Sequence, residues 1–138
     1  MVDRDVVQAK VAIVQRCLKR IKSVTALDPT KLDNVDTQDI FALNLQRAVQ
    51  ATIDLAAHVI GTEGLGVPQD LRENFRLLVE NKVISRDLGT RMEKMVGFRN
   101  IAVHEYQALD IEVLKSILKN NLKDLEDFYT ALISHFGE

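Results

Sequence analysis

The sequence predicts an all-α chain folded as an up-down bundle of four to five helices. Apolar residues return at steps of three and four over long stretches instead of alternating. The only prolines, Pro29 and Pro68, both fall between those stretches. The stretches are joined by short connections, which favour antiparallel neighbours.

The first segment covers about residues 2–27. Val7, Val11, Val14, Leu18, Ile21 and Val24 form one helical stripe. The opposite side carries Lys10, Arg16, Lys19, Arg20 and Lys22. Residues 3–22 hold six basic against two acidic side chains, a local net charge of +4. Asp28-Pro29 is read as its stop. The second segment, about residues 36–60, has Asp36 or Thr37 as N-cap and Asp39 near the helix's positive end. Its stripe is Phe41, Leu45, Ala48, Thr52, Leu55 and Val59, and the glycines at 61, 64 and 66 break it into a flexible turn.

The third segment, about residues 69–82, presents Leu71, Phe75, Leu78 and Val79. The fourth runs from a Ser85 cap to about Val103, with Leu88, Met92, Met95 and Val96 as its apolar face. Gly89 and Gly97 lie inside it, each costing about 1 kcal/mol relative to alanine. Gly97 is read either as permitting a close helix approach or as a tolerated small residue. The fifth segment is a single long helix over about residues 110–136, capped by Asp110 and striped by Ile111, Leu114, Ile117 or Leu118, Leu122, Leu125, Phe128 or Tyr129, and Leu132.

Composition narrows the function classes. The chain of 138 residues suits one domain, residues 1–138. Its net charge of −2 argues against charge-driven coating of nucleic acid. Cys17 is the only cysteine, so no internal disulfide and no cysteine-based zinc site can form. Aromatic residues are 5%, too few for a base-stacking platform. No secretory signal or membrane-length apolar run is seen, so a cytoplasmic protein without membrane contact is expected. No His/Asp/Glu cluster has metal-ligand spacing, and no phosphate-cradling glycine motif is present, so neither a metal nor another cofactor is expected.

One polar constellation stands out: Arg99-Asn100-Ile101-Ala102-Val103-His104-Glu105-Tyr106, at the end of the fourth helix. A purely architectural reading pairs Arg99 with an acidic neighbour and makes His104 a C-terminal cap. A chemical reading must reckon with geometry, because five helical steps of about 100° set Arg99 and His104 about 140° apart. They converge if the helix is distorted, if it ends before His104, or if two copies of the segment meet in a symmetric dimer.

The extended motif Arg99-Asn100…His104-x-Tyr106 resembles the signature of the HEPN superfamily, and more closely its HepT-like branch of ribonuclease toxins. The resemblance in helix order covers nearly the whole chain. It implies a HEPN-like homodimer with the motif helices facing one another across a composite cleft. It also implies a metal-independent endoribonuclease acting on transfer or messenger RNA, as the toxin of a type VII toxin–antitoxin system. The implied partner is an MNT-type nucleotidyltransferase antitoxin, which transfers AMP from ATP onto the motif tyrosine, here Tyr106.

The residue types suit that chemistry. Histidine exchanges protons near neutral pH, so two copies of His104 could divide acid and base roles. Arg99 offers a planar, permanently charged fork matched to phosphate oxygens. Asn100 is the supporting residue, donating an amide N–H or orienting His104. The basic face of the first segment is read either as a guide for RNA or as a solvated helix face. The alternative function is a non-catalytic HEPN-fold binding or scaffold partner of a nucleotidyltransferase.

Overall fold

A computed structural model describes residues 2–136. Six α-helices occur among them: α1 (Arg4–Thr25), α2 (Val35–Glu63), α3 (Leu71–Glu80), α4 (Arg86–His104), α5 (Ile111–Asn120) and α6 (Leu122–His135). Short 3-10 turns cover Pro29–Asp33 and Tyr106–Ala108. The all-α expectation holds, with one more helix than expected.

The additional helix arises because the fifth segment divides. Asn121 has φ −122° and ψ −3°, outside the helical range, and its amide donates to Asp124 Oδ2. Asparagine side chains compete for backbone-like hydrogen bonds and so favour helix ends over interiors. The break re-aims the apolar stripe. On α5, Leu114, Ile117 and Leu118 are buried, with α5 packed against the Pro29–Asp33 turn and α6. On α6, Leu122, Leu125, Phe128 and Leu132 are buried, and α6 packs on α1, α2 and α4.

Other boundaries shift for local reasons. The side chain of Asp3 caps α1, accepting from the Asp5 and Val6 N–H groups. The helix stops at Thr25, before Asp28-Pro29, because Ala26 and Leu27 turn left-handed at φ 52° and 61°. The Thr25 hydroxyl braces that turn, donating to Ile21 O and accepting from Leu27 N–H. The N-cap of α2 is Asn34, whose side-chain Oδ1 accepts the Thr37 N–H at 3.0 Å; Asp36 and Thr37 lie inside the helix. Gly61 does not end α2. The helix runs on to Gly64, which supplies the left-handed C-cap at φ 64°.

α2 is the central post. It packs along α1 and touches α3, α4 and α6. Phe41, Leu45, Ala48, Val49, Leu55, Ala56 and Val59 of α2 are completely buried within one apolar cluster, to which every helix contributes. α4 is fastened on two sides. Arg91 Nη1 reaches Asp124 Oδ1 at 2.6 Å and Asp127 Oδ2 at 3.2 Å on α6, and Asp124 is itself buried. Towards α3 the closest approach is at Gly89, where an added Cβ would run into Val79 Cγ2. At Gly97 an added Cβ would instead meet Arg72 Nη2, at 2.9 Å, so that glycine makes room for a side chain and not for a helix.

Candidate functional site

α4 remains helical through His104, capped by the Glu105 N–H donating to Ile101 O at 2.8 Å. Val96, Asn100 and His104 therefore follow one another at steps of four, with Arg99 on the flank. These four residues form one wall of a cleft of about 620 Å³. The opposite wall is Pro68–Arg72 with Asn74, the entry into α3 and its first turn. Arg99 and His104 thus border a single cleft within one chain, without a distorted or shortened helix.

Arg99 has neutral partners. Its Nε–H donates to Gln50 Oε1 on α2 at 2.9 Å, and Nη1 donates to Asn100 Oδ1 at 3.2 Å. Gln50 is fixed in turn: its Nε2 donates to Asp54 Oδ1 at 2.9 Å, and Lys10 Nζ of α1 donates to Asp54 Oδ2 at 3.1 Å. Arg99 is thus held in place by amide oxygens, and its charge is left available to a ligand. Asn100 accepts from Arg99 through its side-chain oxygen, a contact additional to the two roles expected of it, donating an amide N–H or orienting His104. The His104 side chain is exposed at the C-terminal end of α4, where the helix favours a cation.

One partner of Arg99 and one residue of the cleft wall escaped the sequence reading. Gln50 lies 49 residues from Arg99, so no spacing could link them. Arg72 sends a second guanidinium over the small surface of Gly97, with its Nε–H donating to Glu93 O at 3.3 Å. The wall also carries Asp70, whose carboxylate caps α3 by accepting the Glu73 N–H. The side-chain amide oxygen of Asn74, buried in the wall, has no hydrogen-bond partner, which leaves one acceptor unused.

Tyr106 does not line this cleft. It opens the 3-10 turn after α4, is 40% exposed, and its hydroxyl donates to Asp39 Oδ1 on α2. Partial burial, and then the hydrogen bond to the Asp39 carboxylate, push its pKa up to about 12. Asp39 is about three turns from Gln50, roughly 16 Å along the axis of α2. The phenol and the Arg99 anchor are therefore held at separate points of the same post.

The basic face of α1 is partly committed to structure, with Lys10 on Asp54 and Lys22 Nζ at 3.9 Å from Glu126. Arg16 and Arg20 join Arg47 of α2 around a shallow groove away from the cleft. His58 Nε2 accepts the Asp3 backbone N–H at 3.0 Å, and the His135 ring stands edge-on to Phe136. Among the described residues no group of three His, Cys, Asp or Glu side chains could hold a metal ion, and no helix is long and apolar enough to cross a membrane.

The geometry has counterparts. The family model described as "Ribonuclease HepT-like" matches residues 14–132. The mRNA nuclease HepT of Shewanella oneidensis is 40% identical over 128 residues, 93% of this chain and 96% of that protein. A solved structure of a tri-AMPylated HEPN toxin from Shewanella oneidensis in complex with MNT antitoxin superposes with TM-score 0.90 at 38% identity, covering 96% of this chain and 99% of that one. A toxin–antitoxin structure with AMP-PNP gives TM-score 0.90 at 37% identity, covering 95% and 99% of the two chains.

Proposed function

The chain belongs to the HepT-like ribonuclease family, and on that premise we propose that it is the toxin of a type VII toxin–antitoxin pair. It acts as a single-domain, cytoplasmic, metal-independent endoribonuclease. Two copies form the working unit, and a cognate MNT-type nucleotidyltransferase silences it by transferring AMP from ATP onto Tyr106. The observation that carries the catalytic reading is that Arg99, Asn100 and His104 border one cleft while Arg99 spends its hydrogen bonds on amides, not carboxylates.

In the reaction, the ribose 2′-oxygen bonds to the adjacent phosphorus as its proton passes to one neutral imidazole. The bond to the 5′-oxygen then breaks as a second, protonated imidazole returns a proton to it. One His104 from each protomer supplies the two groups. The Arg99 guanidinium, with Nε and one Nη1 hydrogen engaged, offers its remaining N–H groups to the phosphate oxygens as negative charge builds. Asn100 keeps the fork in plane. Dimerisation is favoured by the apolar side chains at this end of the molecule: Ile101 and Val103 on α4 and Val113 on α5 are exposed, a pattern suited to a self-complementary contact.

The Tyr106 hydroxyl is held by Asp39, and Tyr106 does not line its own cleft. An attached nucleotide therefore obstructs RNA either by extending over several AMP units or by lying across the partner protomer's cleft, where its phosphate charge opposes the RNA backbone.

Incubation of the purified chain with total RNA in the presence of a chelator tests the activity. Cleavage is expected for the wild-type chain, with losses of about 10²-fold or more for His104→Ala and Arg99→Ala. Inertness of the wild type and both variants alike would point instead to a non-catalytic partner of the nucleotidyltransferase, and equal cleavage by all three would take the chemistry away from Arg99 and His104.

A further inference from the structure

The hydrogen bond from the Tyr106 hydroxyl to Asp39 joins residues 67 positions apart, and neither residue lines the cleft that holds Arg99 and His104. Both side chains are exposed, so a second macromolecule can approach the phenol. Asp39 stands in the second turn of α2. Its position in the sequence marks Asp39 as a helix-end residue; the fold turns it into the hydrogen-bond acceptor of an accessible nucleophile.

We infer that Asp39 is the base that receives the Tyr106 proton when AMP is transferred, so that the toxin supplies part of the machinery that silences it. The inference rests on Tyr106 being the AMP acceptor. In the transfer, Tyr106 Oη bonds to the α-phosphorus of ATP, and the bond from that phosphorus to the oxygen bridging the β-phosphate breaks. Pyrophosphate leaves with the bonding electrons, and the phenolic proton passes to Asp39 Oδ1 and then to water. A carboxylate that orients a hydroxyl and takes its proton is the arrangement protein kinases use towards their substrate hydroxyl. With the phenol pKa pushed up to about 12, unaided ionisation at neutral pH is rare, and removal of the proton during attack is the open route.

The role is confined to the first transfer. Any later unit must be attached to a ribose hydroxyl of the preceding AMP, which is separated from Tyr106 Oη by a phosphate and so lies away from Asp39.

The experiment follows AMP addition by intact mass, using the partner nucleotidyltransferase and ATP, on the wild-type chain, Asp39→Asn, Asp39→Glu and Tyr106→Phe. Asparagine still accepts the hydrogen bond but cannot take the proton. The first addition to Asp39→Asn is expected to slow about 10²-fold, and Asp39→Glu to recover most of the rate. Chains that do become modified should carry as many units as wild type, and unmodified Asp39→Asn should cleave RNA normally. A wild-type first-addition rate in Asp39→Asn overturns the inference. A shortfall in units per modified chain overturns it too, since that signals impaired docking and not a missing base. AMP on Tyr106→Phe, or none on the wild-type chain, defeats the acceptor reading itself.

Discussion

Gln50 determines how much charge Arg99 presents. A carboxylate at the same distance would form an ion pair and weaken the attraction for phosphate, whereas the amide oxygen fixes the guanidinium at little electrostatic cost. Gln50→Glu is therefore expected to lower RNA affinity about tenfold and to flatten its salt dependence by about one counterion. Binding of a cleavage-resistant RNA, measured across a salt series, checks this; unchanged affinity would mean that Arg99 does not meet phosphate. Arg99 and His104 were legible as candidates because their types and spacing are visible in the chain. Gln50, Arg72 and the Asp39–Tyr106 pair were not, because each depends on helices packed side by side.

At the level of the helices, α4 is held by two different devices. Towards α6 it uses the Arg91 fork on buried Asp124 and on Asp127. Towards α3 it uses the absence of a side chain at Gly89. Propensity alone favours alanine over glycine in a helix by about 1 kcal/mol. Packing opposes it, since the new methyl group would collide with Val79 and sit 3.8 Å from Ile84 Cδ1 and the Phe75 carbonyl oxygen. Overpacking costs about 1–3 kcal/mol, so Gly89→Ala is expected to destabilise by a net 0–2 kcal/mol, by about the difference of the two effects. Urea unfolding measures it; a clear gain in stability would show that α3 and α4 have slack between them. The long final segment illustrates the opposite difficulty. Its apolar stripe continues through Asn120-Asn121, so periodicity alone predicted one helix, while the backbone breaks at Asn121.

For the molecule as a whole, the proposed pairing of two clefts carries the most consequence. Light scattering is expected to give twice the chain mass of 15.6 kDa. If the two His104 imidazoles share one reaction, a dimer with one wild-type and one His104→Ala subunit should be nearly as inactive as the double variant. Half the wild-type rate for such purified heterodimers would mean that each cleft works alone.

The order of residues alone determined the helical class, the location of most helices and the polar motif, because turn-by-turn burial and the chemistry of Arg99, Asn100, His104 and Tyr106 are local properties. Tertiary packing decided which partners those side chains have. Laying α2 against α4 and the turn after it gives Arg99 its amide anchor and Tyr106 its carboxylate. The entry into α3 closes the cleft around the motif. Such pairings join positions tens of residues apart, and helical periodicity, which repeats every few residues, carries no record of them.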